Sequence, residues 1–398
     1  MEKLSSQQII ETTEKYGAHN YKPKEVVFSQ AGGVEVTNPE GRLFYDMLSA
    51  YSAHNFGHRH PEIIQALKDQ LDLVTLSSRA FYNDMLGPWM KKLCDFTGKS
   101  MVLPMNTGTE AVETALKTAR RWGNFVKKVP DGRQEIICCE NNFHGRSISI
   151  ISMSNDENAR EGFGPFAPGF KSVPYGDYAA LERAITPDTC AFLIEPIQGE
   201  AGVLIPPGGF MKKAYELCKK HNVLFIADEV QTGFARTGTM FACQHEGVEP
   251  DIYIFGKALG GGVLPISAVV ANEDILGVFT PGSHGSTFGG NPLACAVSLK
   301  ALEILERDDY PKQAKEKGEY FIKKLREIKN GDIIEIRGRG LLIGVEFKEN
   351  AAPYVKKLIE NGILAKETHD CTIRFAPPII ITYEQLDDAC ERIKKALE

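Results

Sequence analysis

The segment NVLFIADEVQTG at residues 222–233 decides the fold class when it is read with its neighbours. CAFLIEPIQGE (190–200) precedes it and DIYIFGKALGGG (251–262) follows it, while EIICCENNFHGR (135–146) and PISAVVA (265–271) have a similar form. In the first four of these segments an apolar run leads into a polar or glycine-rich turn, and the segment at 265–271 is interpreted as a further short strand. Runs that are apolar at consecutive positions are typical of strands covered by helices on both faces. The sequence therefore predicts an α/β fold with a largely parallel sheet.

The character of the chain changes near residue 290. Its 398 residues suffice for two or three domains or sub-domains of about 150 residues each. Helical stretches at 292–306 and 311–329 carry many charged residues and alternate with short strands, which indicates a smaller α+β domain. The predicted divisions are an N-terminal segment (1–45) that packs with the small domain, a large domain (46–290) and a C-terminal small domain (291–398).

Composition and charge argue against several classes of partner. The net charge of −6 and the isolated lysine pairs provide no basic face for nucleic acid. No apolar run approaches the ~18 residues of a membrane span, and the polar start of the chain lacks the apolar core of a signal peptide. Nine cysteines without a C-x-x-C pair predict reduced thiols in a cytoplasmic protein. His58 and His60 lack further ligands at a suitable spacing, so no metal site is expected.

Polar side chains follow the apolar runs at the strand ends, where ligands bind in an open α/β sheet. Taken singly, Asp228 is explained equally well as a helix cap. The coincidence of two further acids, one lysine, one arginine and one aromatic residue favours a shared site. The residues expected at this edge of the sheet are Glu195, Glu200, Asp228, Lys257, Phe143, His144 and Arg146.

A phosphate site is expected at PMNTGTE (104–110), where a strand joins a helix. Gly108 allows close approach of the backbone, and the free N–H groups of a helix start bind anions. Thr107 and Thr109 offer hydroxyls, with N-capping as their alternative role. Lys257 is no P-loop lysine, because it precedes its glycines and is followed by alanine. A lysine and an acid at strand ends, with an anion pocket nearby, together suggest pyridoxal 5′-phosphate (PLP).

These residues identify a family resemblance that runs from near residue 17 to about residue 380. The chain resembles the fold-type I, class III (ω-amino acid) aminotransferases. The resemblance implies a PLP enzyme with a mainly parallel seven-stranded sheet in its large domain, and a homodimer with shared active sites. The segments that carry it are LFIADEVQTGFARTGTMFA (224–242), PDIYIFGKALGGGVLPISAVV (250–270), GHRHP (57–61), NTGTEAVETALKTAR (106–120), NNFHGR (141–146) and HGSTFGGNP (284–292).

The resemblance also implies a role for each residue of the cofactor site. Lys257 is the lysine that bonds covalently to the cofactor aldehyde and shuttles the proton, and Asp228 pairs with the pyridinium nitrogen. The other implied cofactor contacts are Phe143, stacked on the ring, its neighbour His144, Gln231 near the 3′-oxygen, Gly108 and Thr109 at the phosphate, and Ser286 and Thr287, of which Thr287 reaches the phosphate of the neighbouring subunit.

Four further segments resemble the subgroup of this family that acts on ornithine: YGAHNYKP (16–23), MLSAYSAHNFGH (47–58), EPIQGEAGV (195–203) and IRFAPP (373–378). This implies transfer of the δ-amine of L-ornithine to 2-oxoglutarate. The implied substrate residues are Arg146 with Tyr21 on the ornithine carboxylate, Arg374 on 2-oxoglutarate, Glu200 as the switchable partner of Arg374, and Tyr51 beside this pair.

Two other interpretations stay open at this point. The subgroup that acts on acetylornithine or other ω-amino acids shares most of the cofactor motifs, and only Tyr21 and Tyr51 favour ornithine. A non-catalytic nucleotide-binding or regulatory protein on an α/β sheet is the second alternative. The lack of a G-x-G-x-x-G turn and of a P-loop argues against it.

Overall fold

The structure is a computed structural model that describes residues 4–398. Residues 1–3, and with them the start of the predicted N-terminal segment, lie outside the described residues. The central feature is a seven-stranded sheet. In spatial order its strands are β4 (Met101–Met105), β10 (Ser267–Ala271), β9 (Ile252–Phe255), β8 (Leu224–Asp228), β7 (Thr189–Ile194), β5 (Glu135–Cys139) and β6 (Phe170–Val173). Strand β10 is antiparallel to both its neighbours and the other pairs are parallel, which confirms the mainly parallel sheet.

Two four-stranded sheets complete the strand inventory of residues 4–398. One contains β1 (Gln30–Gly32), β2 (Glu35–Thr37), β3 (Leu43–Asp46) and β13 (Ile363–Leu364), and the other contains β11 (Ile333–Arg339), β12 (Leu342–Phe347), β15 (Thr372–Phe375) and β14 (Lys366–Thr368). Ile363 pairs with Tyr45 in parallel register, so a strand near the start of the chain joins one near its end. The exact domain limits given above stay predictions.

Helices cover both faces of the large sheet and surround the smaller ones. They are α1 (Ser6–Tyr16), α2 (Ser49–Ser52), α3 (Pro61–Leu71), α4 (Leu86–Thr97), α5 (Gly108–Phe125), α6 (Ile148–Ile151), α7 (Glu157–Arg160), α8 (Tyr178–Ala184), α9 (Phe210–Lys220), α10 (Glu273–Leu276), α11 (Pro292–Arg307), α12 (Tyr310–Leu325), α13 (Ala352–Glu360) and α14 (Tyr383–Leu397), with short 3₁₀ helices at Ala242–Glu246 and Lys257–Gly260. Within residues 4–398, none of these helices combines the length and the apolar character needed to cross a bilayer.

The side chains of each central strand alternate between two cores. On β7, Ala191 and Leu193 belong to the cluster that contains the buried face of α5, whereas Phe192 and Ile194 pack with α8 and α9. Burial on both faces explains why the strands read as continuous apolar runs. The sheet is thus a rigid support, and its polar strand ends are held in place by the packing behind them.

Candidate active site

A cavity of about 190 Å³ lies at the carboxyl ends of the central strands. It collects most of the residues that the sequence placed at this edge. Its lining consists of Gly108, Thr109, Val112, Phe143, His144, Gly145, Glu195, Ile197, Glu200, Asp228, Val230, Gln231, Thr232 and Lys257. Residues from five separate loops therefore meet at one point, as expected where parallel strands end together.

Lys257 stands two residues beyond β9 and opens a 3₁₀ turn. Its φ of +43° is unusual for a residue with a side chain, and such strain is typical of functional positions. The following glycines permit the tight turn, since a Cβ on Gly262 would lie 2.5 Å from His54 Nδ1. Burial lowers the pKa of Lys257 and the charge of Arg374 adds to this, although Glu200 and other nearby acids oppose it. A lysine with a lowered pKa provides more of the uncharged amine that acts as a nucleophile.

Asp228 is the last residue of β8 and forms a buried pair with His144. Asp228 Oδ2 lies 2.6 Å from His144 Nδ1, and Asp228 Oδ1 accepts a hydrogen bond of 3.1 Å from the Val230 N–H. Burial alone would lower the pKa of His144, but the hydrogen bond to Asp228 and the charge of that carboxylate raise it. His144 Nε2 is buried and has no partner among the described residues. The pair therefore places the Asp228 carboxylate in the cavity wall, with its position fixed by His144.

Glu195 is a buried acid of the cavity to which the sequence gave no role. It follows β7 directly, and its Oε2 accepts a hydrogen bond of 3.0 Å from the Phe143 N–H. Burial raises the pKa of Glu195 to about 7, with the charge of Asp228 adding to the rise and His144 opposing it. The only sequence signal was its place at the end of an apolar run. Its geometry indicates that it fixes the loop carrying Phe143 and His144.

The start of α5 forms an anion site at the other end of the cavity. Thr107 caps the helix in a capping box with Glu110, so its hydroxyl is used by the helix itself. The N–H groups of Gly108 and Thr109, in the first turn, have no acceptor within the helix. A Cβ on Gly108 would lie only 3.1 Å from Val230, which explains the need for glycine. The helix dipole and these free donors favour a phosphate group here.

Beside Lys257, the buried Arg374 forms an ion pair with the partly buried Glu200. Arg374 Nη1 lies 2.7 Å from Glu200 Oε1, and the Arg374 side chain is only 2% exposed. Gln231 lies between the two, because its Nε2 donates to Glu200 Oε1 at 3.1 Å and its Oε1 accepts from Arg374 at 3.4 Å. Burial would raise the pKa of Glu200, but the charges of Arg374 and Lys257 and these hydrogen bonds lower it to about 2. The pair is thus ionised at neutral pH.

Tyr51 lies over this pair on an unusual backbone. Residues 49–52 all have positive φ, between +45° and +75°, so α2 is a left-handed turn. The Arg374 guanidinium carbon lies 4.9 Å from the centre of the Tyr51 ring. Each non-glycine residue in this conformation costs roughly 1–2 kcal/mol, and the placement of Tyr51 against Arg374 is what the strained turn achieves.

A second cavity, of about 490 Å³, lies on the other side of Tyr51. Its lining includes Tyr21, Tyr51, His54 and Lys366. His58 and Asp46 also line it and form a pair, with His58 Nε2 2.8 Å from Asp46 Oδ2. Lys366 Nζ donates to the Tyr51 hydroxyl at 3.3 Å. The sequence did not identify Lys366, which opens β14, because no motif surrounds it.

Six predicted site residues are absent from the lining of the first cavity in this single chain: Arg374 and Tyr51, described above, and four others. Arg146 is at its rim, with a side chain 60% exposed, 4.0 Å from Asp156 and 5.3 Å from the Phe143 ring centre. Tyr21 is exposed in the second cavity, and Thr287 is exposed in the loop before α11. Ser286 accepts a hydrogen bond of 2.9 Å from Asn106, close to the start of α5. Their roles in binding stay predictions.

The residues of the first cavity fit PLP group by group. The Lys257 amine suits the aldehyde, the Asp228 carboxylate suits a protonated ring nitrogen, and the start of α5 suits the phosphate. The buried, unpartnered His144 Nε2 and the close approach at Gly108 belong to the same cavity wall. Over residues 4–398, no group of three or more His, Cys, Asp or Glu side chains could hold a metal ion.

Comparison with known proteins places this site in a family. A family model described as "Aminotransferase class-III" matches residues 16–397. Two similar curated proteins are the ornithine aminotransferases of Geobacillus sp. (strain WCH70) and Bacillus subtilis (strain 168). The first is 63% identical over 388 residues and the second 60% identical over 392 residues, each alignment covering 98% of both proteins.

Solved structures agree with this relationship over nearly the whole chain. An ornithine aminotransferase from Toxoplasma gondii, whose active site holds PLP at partial occupancy, has a TM-score of 0.97 and 44% identity and covers 99% of this chain and 94% of its own. An acetylornithine aminotransferase from Elizabethkingia anophelis has a TM-score of 0.91 and 47% identity, with 99% of both chains covered.

Proposed function

Because the chain belongs to the class-III aminotransferases, with their fold-type I architecture and PLP cofactor, we propose that it is an ornithine δ-aminotransferase. The enzyme moves the δ-amine of L-ornithine to 2-oxoglutarate. The products are glutamate and glutamate 5-semialdehyde, which cyclises to pyrroline-5-carboxylate. The observation that carries the proposal is the buried Glu200–Arg374 pair, set in a chain that is 58–63% identical to curated ornithine aminotransferases.

Each residue of the first cavity has a defined task in this chemistry. When bound, PLP supplies an electron sink for the carbon that loses a proton. Asp228, held in place by His144, would hold the protonated ring nitrogen. Lys257 Nζ would be the nucleophile for the aldehyde, and as a free amine it would move the proton at the carbon bearing the reacting amine. The N–H groups of Gly108 and Thr109 would hold the phosphate.

The Glu200–Arg374 pair selects which end of the substrate approaches Lys257. While the pair is closed, Arg374 offers no free charge to a carboxylate, so the amine end of ornithine takes the place near the cofactor. Arg146, assisted by Tyr21, then holds the distant α-carboxylate, since a guanidinium binds a carboxylate in bidentate fashion. For 2-oxoglutarate, Glu200 moves aside and Arg374 binds the α-carboxylate.

Acetylornithine is the alternative substrate, because an acetylornithine aminotransferase is 47% identical to this chain. The experiment that separates the two compares turnover of L-ornithine and N-acetyl-L-ornithine with 2-oxoglutarate at equal concentrations. We expect kcat/KM to be clearly higher for ornithine, and clear preference for the acetylated compound would overturn the proposal.

We further propose that the protein works as a homodimer in which each subunit completes its partner's site. Large apolar side chains are exposed together along residues 71–82, and Phe288 is exposed in the loop that carries Thr287. Asn83 ties the two segments together through a hydrogen bond of 3.4 Å to the Gly290 carbonyl. Exposed apolar surface of this kind marks interaction sites, and in the proposed dimer Thr287 reaches a phosphate in the partner.

A complementation experiment tests this shared site. Lys257→Ala and Thr287→Glu each inactivate the protein, the second because its charge repels the phosphate. Co-expression of the two variants creates hybrid dimers with one intact and one doubly defective site. Random pairing restores about one quarter of the wild-type activity. Self-contained sites would restore none.

A further inference from the structure

Lys366 contacts Tyr51 in the second cavity. Its Nζ lies 3.3 Å from the Tyr51 hydroxyl and 5.7 Å from the ring centre, while the Arg374 guanidinium lies 4.9 Å from the same ring centre. Tyr51 is therefore in contact with two cations, of which only Arg374 has a carboxylate partner in Glu200. None of the roles described so far uses Lys366.

The chemistry of the two side chains fixes the direction of their hydrogen bond. A lysine ammonium has three donors and no acceptor, so the Tyr51 oxygen must accept. The Tyr51 hydroxyl hydrogen is then left to donate elsewhere, and it has no acceptor among residues 4–398. Tyr51 lines a cavity, so this hydrogen is available to a ligand.

We propose that Lys366 is a positioning residue that makes Tyr51 a hydrogen-bond donor to a carboxylate of the dicarboxylate substrate. The substrate class rests on the proposed function, in which Arg374 binds one carboxylate of 2-oxoglutarate. Tyr51 adds a second donor next to that guanidinium. Lys366 itself does not touch the substrate.

The surrounding charges support an anionic ligand at this place. Two other lysines, Lys22 and Lys24, line the same cavity. Lys24 is paired with Glu367, and Asp46 is paired with His58. Once Glu200 leaves Arg374, the charges that remain against Tyr51 are Arg374 and Lys366. Two cations with a shared, correctly oriented hydroxyl favour a dicarboxylate over the cationic amine end of ornithine.

The test measures binding of glutarate, a five-carbon dicarboxylate without the reactive oxo group, to the PLP-loaded protein by isothermal titration calorimetry. Lys366→Met removes the donor and keeps the length of the side chain, and it should weaken glutarate binding about 3- to 10-fold, as expected for one hydrogen bond to a charged group. Lys366→Arg retains a donor and should stay within about 2-fold of wild type. Lys356→Met, a loss of one exposed lysine on α13, is the matched control and should change nothing.

The Tyr51→Phe background shows whether Lys366 acts through the hydroxyl. There, Lys366→Met should weaken glutarate binding much less than in the wild-type background, because the hydroxyl it orients is gone and only its charge is lost. Equal weakening in both backgrounds, or wild-type binding by Lys366→Met, would overturn the inference, as would a wild-type protein that does not bind glutarate. Ornithine turnover is measured separately on the wild type, so failure of the proposed substrate is distinguishable from failure of the role of Lys366.

Discussion

Removal of the Glu200 carboxylate should change the choice of amino donor. In the Glu200→Ala and Glu200→Gln variants, Arg374 stays buried but loses its ionic partner. A donor that places a carboxylate next to the cofactor, such as glutamate, then binds Arg374 without first separating an ion pair. The cationic δ-amine end of ornithine then approaches an Arg374 whose charge Glu200 no longer neutralises.

The structure sets the size of this effect. The pKa of Glu200 falls from 4.5 to about 2, and each unit corresponds to about 1.4 kcal/mol, so the ionised form gains about 3 kcal/mol from its surroundings. This is a net gain after the cost of burial; Arg374 is the largest of the partners that produce it, and Lys257 and Gln231 contribute as well. At about 1.4 kcal/mol per tenfold change, the preference for ornithine over glutamate should fall about 10- to 100-fold.

Rapid mixing of each PLP-loaded variant with one donor at a time measures this preference directly. The absorbance of the bound cofactor reports the progress of a single half-reaction. The ratio of the second-order rate constants for ornithine and for glutamate gives the preference. Glu200→Gln retains the hydrogen-bonding shape and should behave like Glu200→Ala. Equal losses with ornithine and glutamate would refute the reasoning, because the pair would then serve stability rather than selection.

Three further changes test other parts of the site. Asp228→Asn removes the negative charge that the protonated ring nitrogen needs, and kcat measured on folded protein should fall at least about 100-fold, the size expected for loss of one fixed electrostatic partner. Activity within tenfold of wild type would contradict this. Ala50→Gly relieves a φ of +45° and should raise the free energy of unfolding in urea by about 1 kcal/mol, whereas Ala53→Gly, at a φ of −78°, should lower it. Burial, with the charge of His58, lowers the pKa of His54 from 6.5 to about 4, so between these pH values the unfolded chain binds more protons than the folded chain, and stability falls as pH falls. Between pH 7 and pH 5 this loss is about 2 kcal/mol, and His54→Gln should abolish it in urea unfolding. An unchanged pH dependence would show that His54 is not its source.

The sequence predicted what depends on local pattern. Asp228 and Lys257 were found because a strand end is marked by a change from apolar to polar residues, and parallel strand ends meet at one edge. Gly108 was found because glycine before an amphipathic helix is typical of an anion site. The seven-stranded sheet and the family followed from these segments and are confirmed.

What the sequence could not provide is geometry between distant segments. Lys366 meets Tyr51 across 315 residues, and the contact depends on a left-handed turn that no propensity predicts for Ser-Ala-Tyr-Ser. The pairing of His144 with Asp228 likewise joins two strand ends whose separation only the folded sheet defines. The binding roles of Arg146, Tyr21 and Thr287 stay predictions, because their side chains lie at the rim or surface of the single chain.

The destination of the nitrogen tests the central claim most directly. The protein is incubated with 2-oxoglutarate and ornithine that carries ¹⁵N on either the δ-amine or the α-amine, and the glutamate formed is analysed by mass spectrometry. The account predicts labelled glutamate from the δ-labelled substrate alone, with pyrroline-5-carboxylate as the second product. Label from the α-amine, or no labelled glutamate from either substrate, would contradict it.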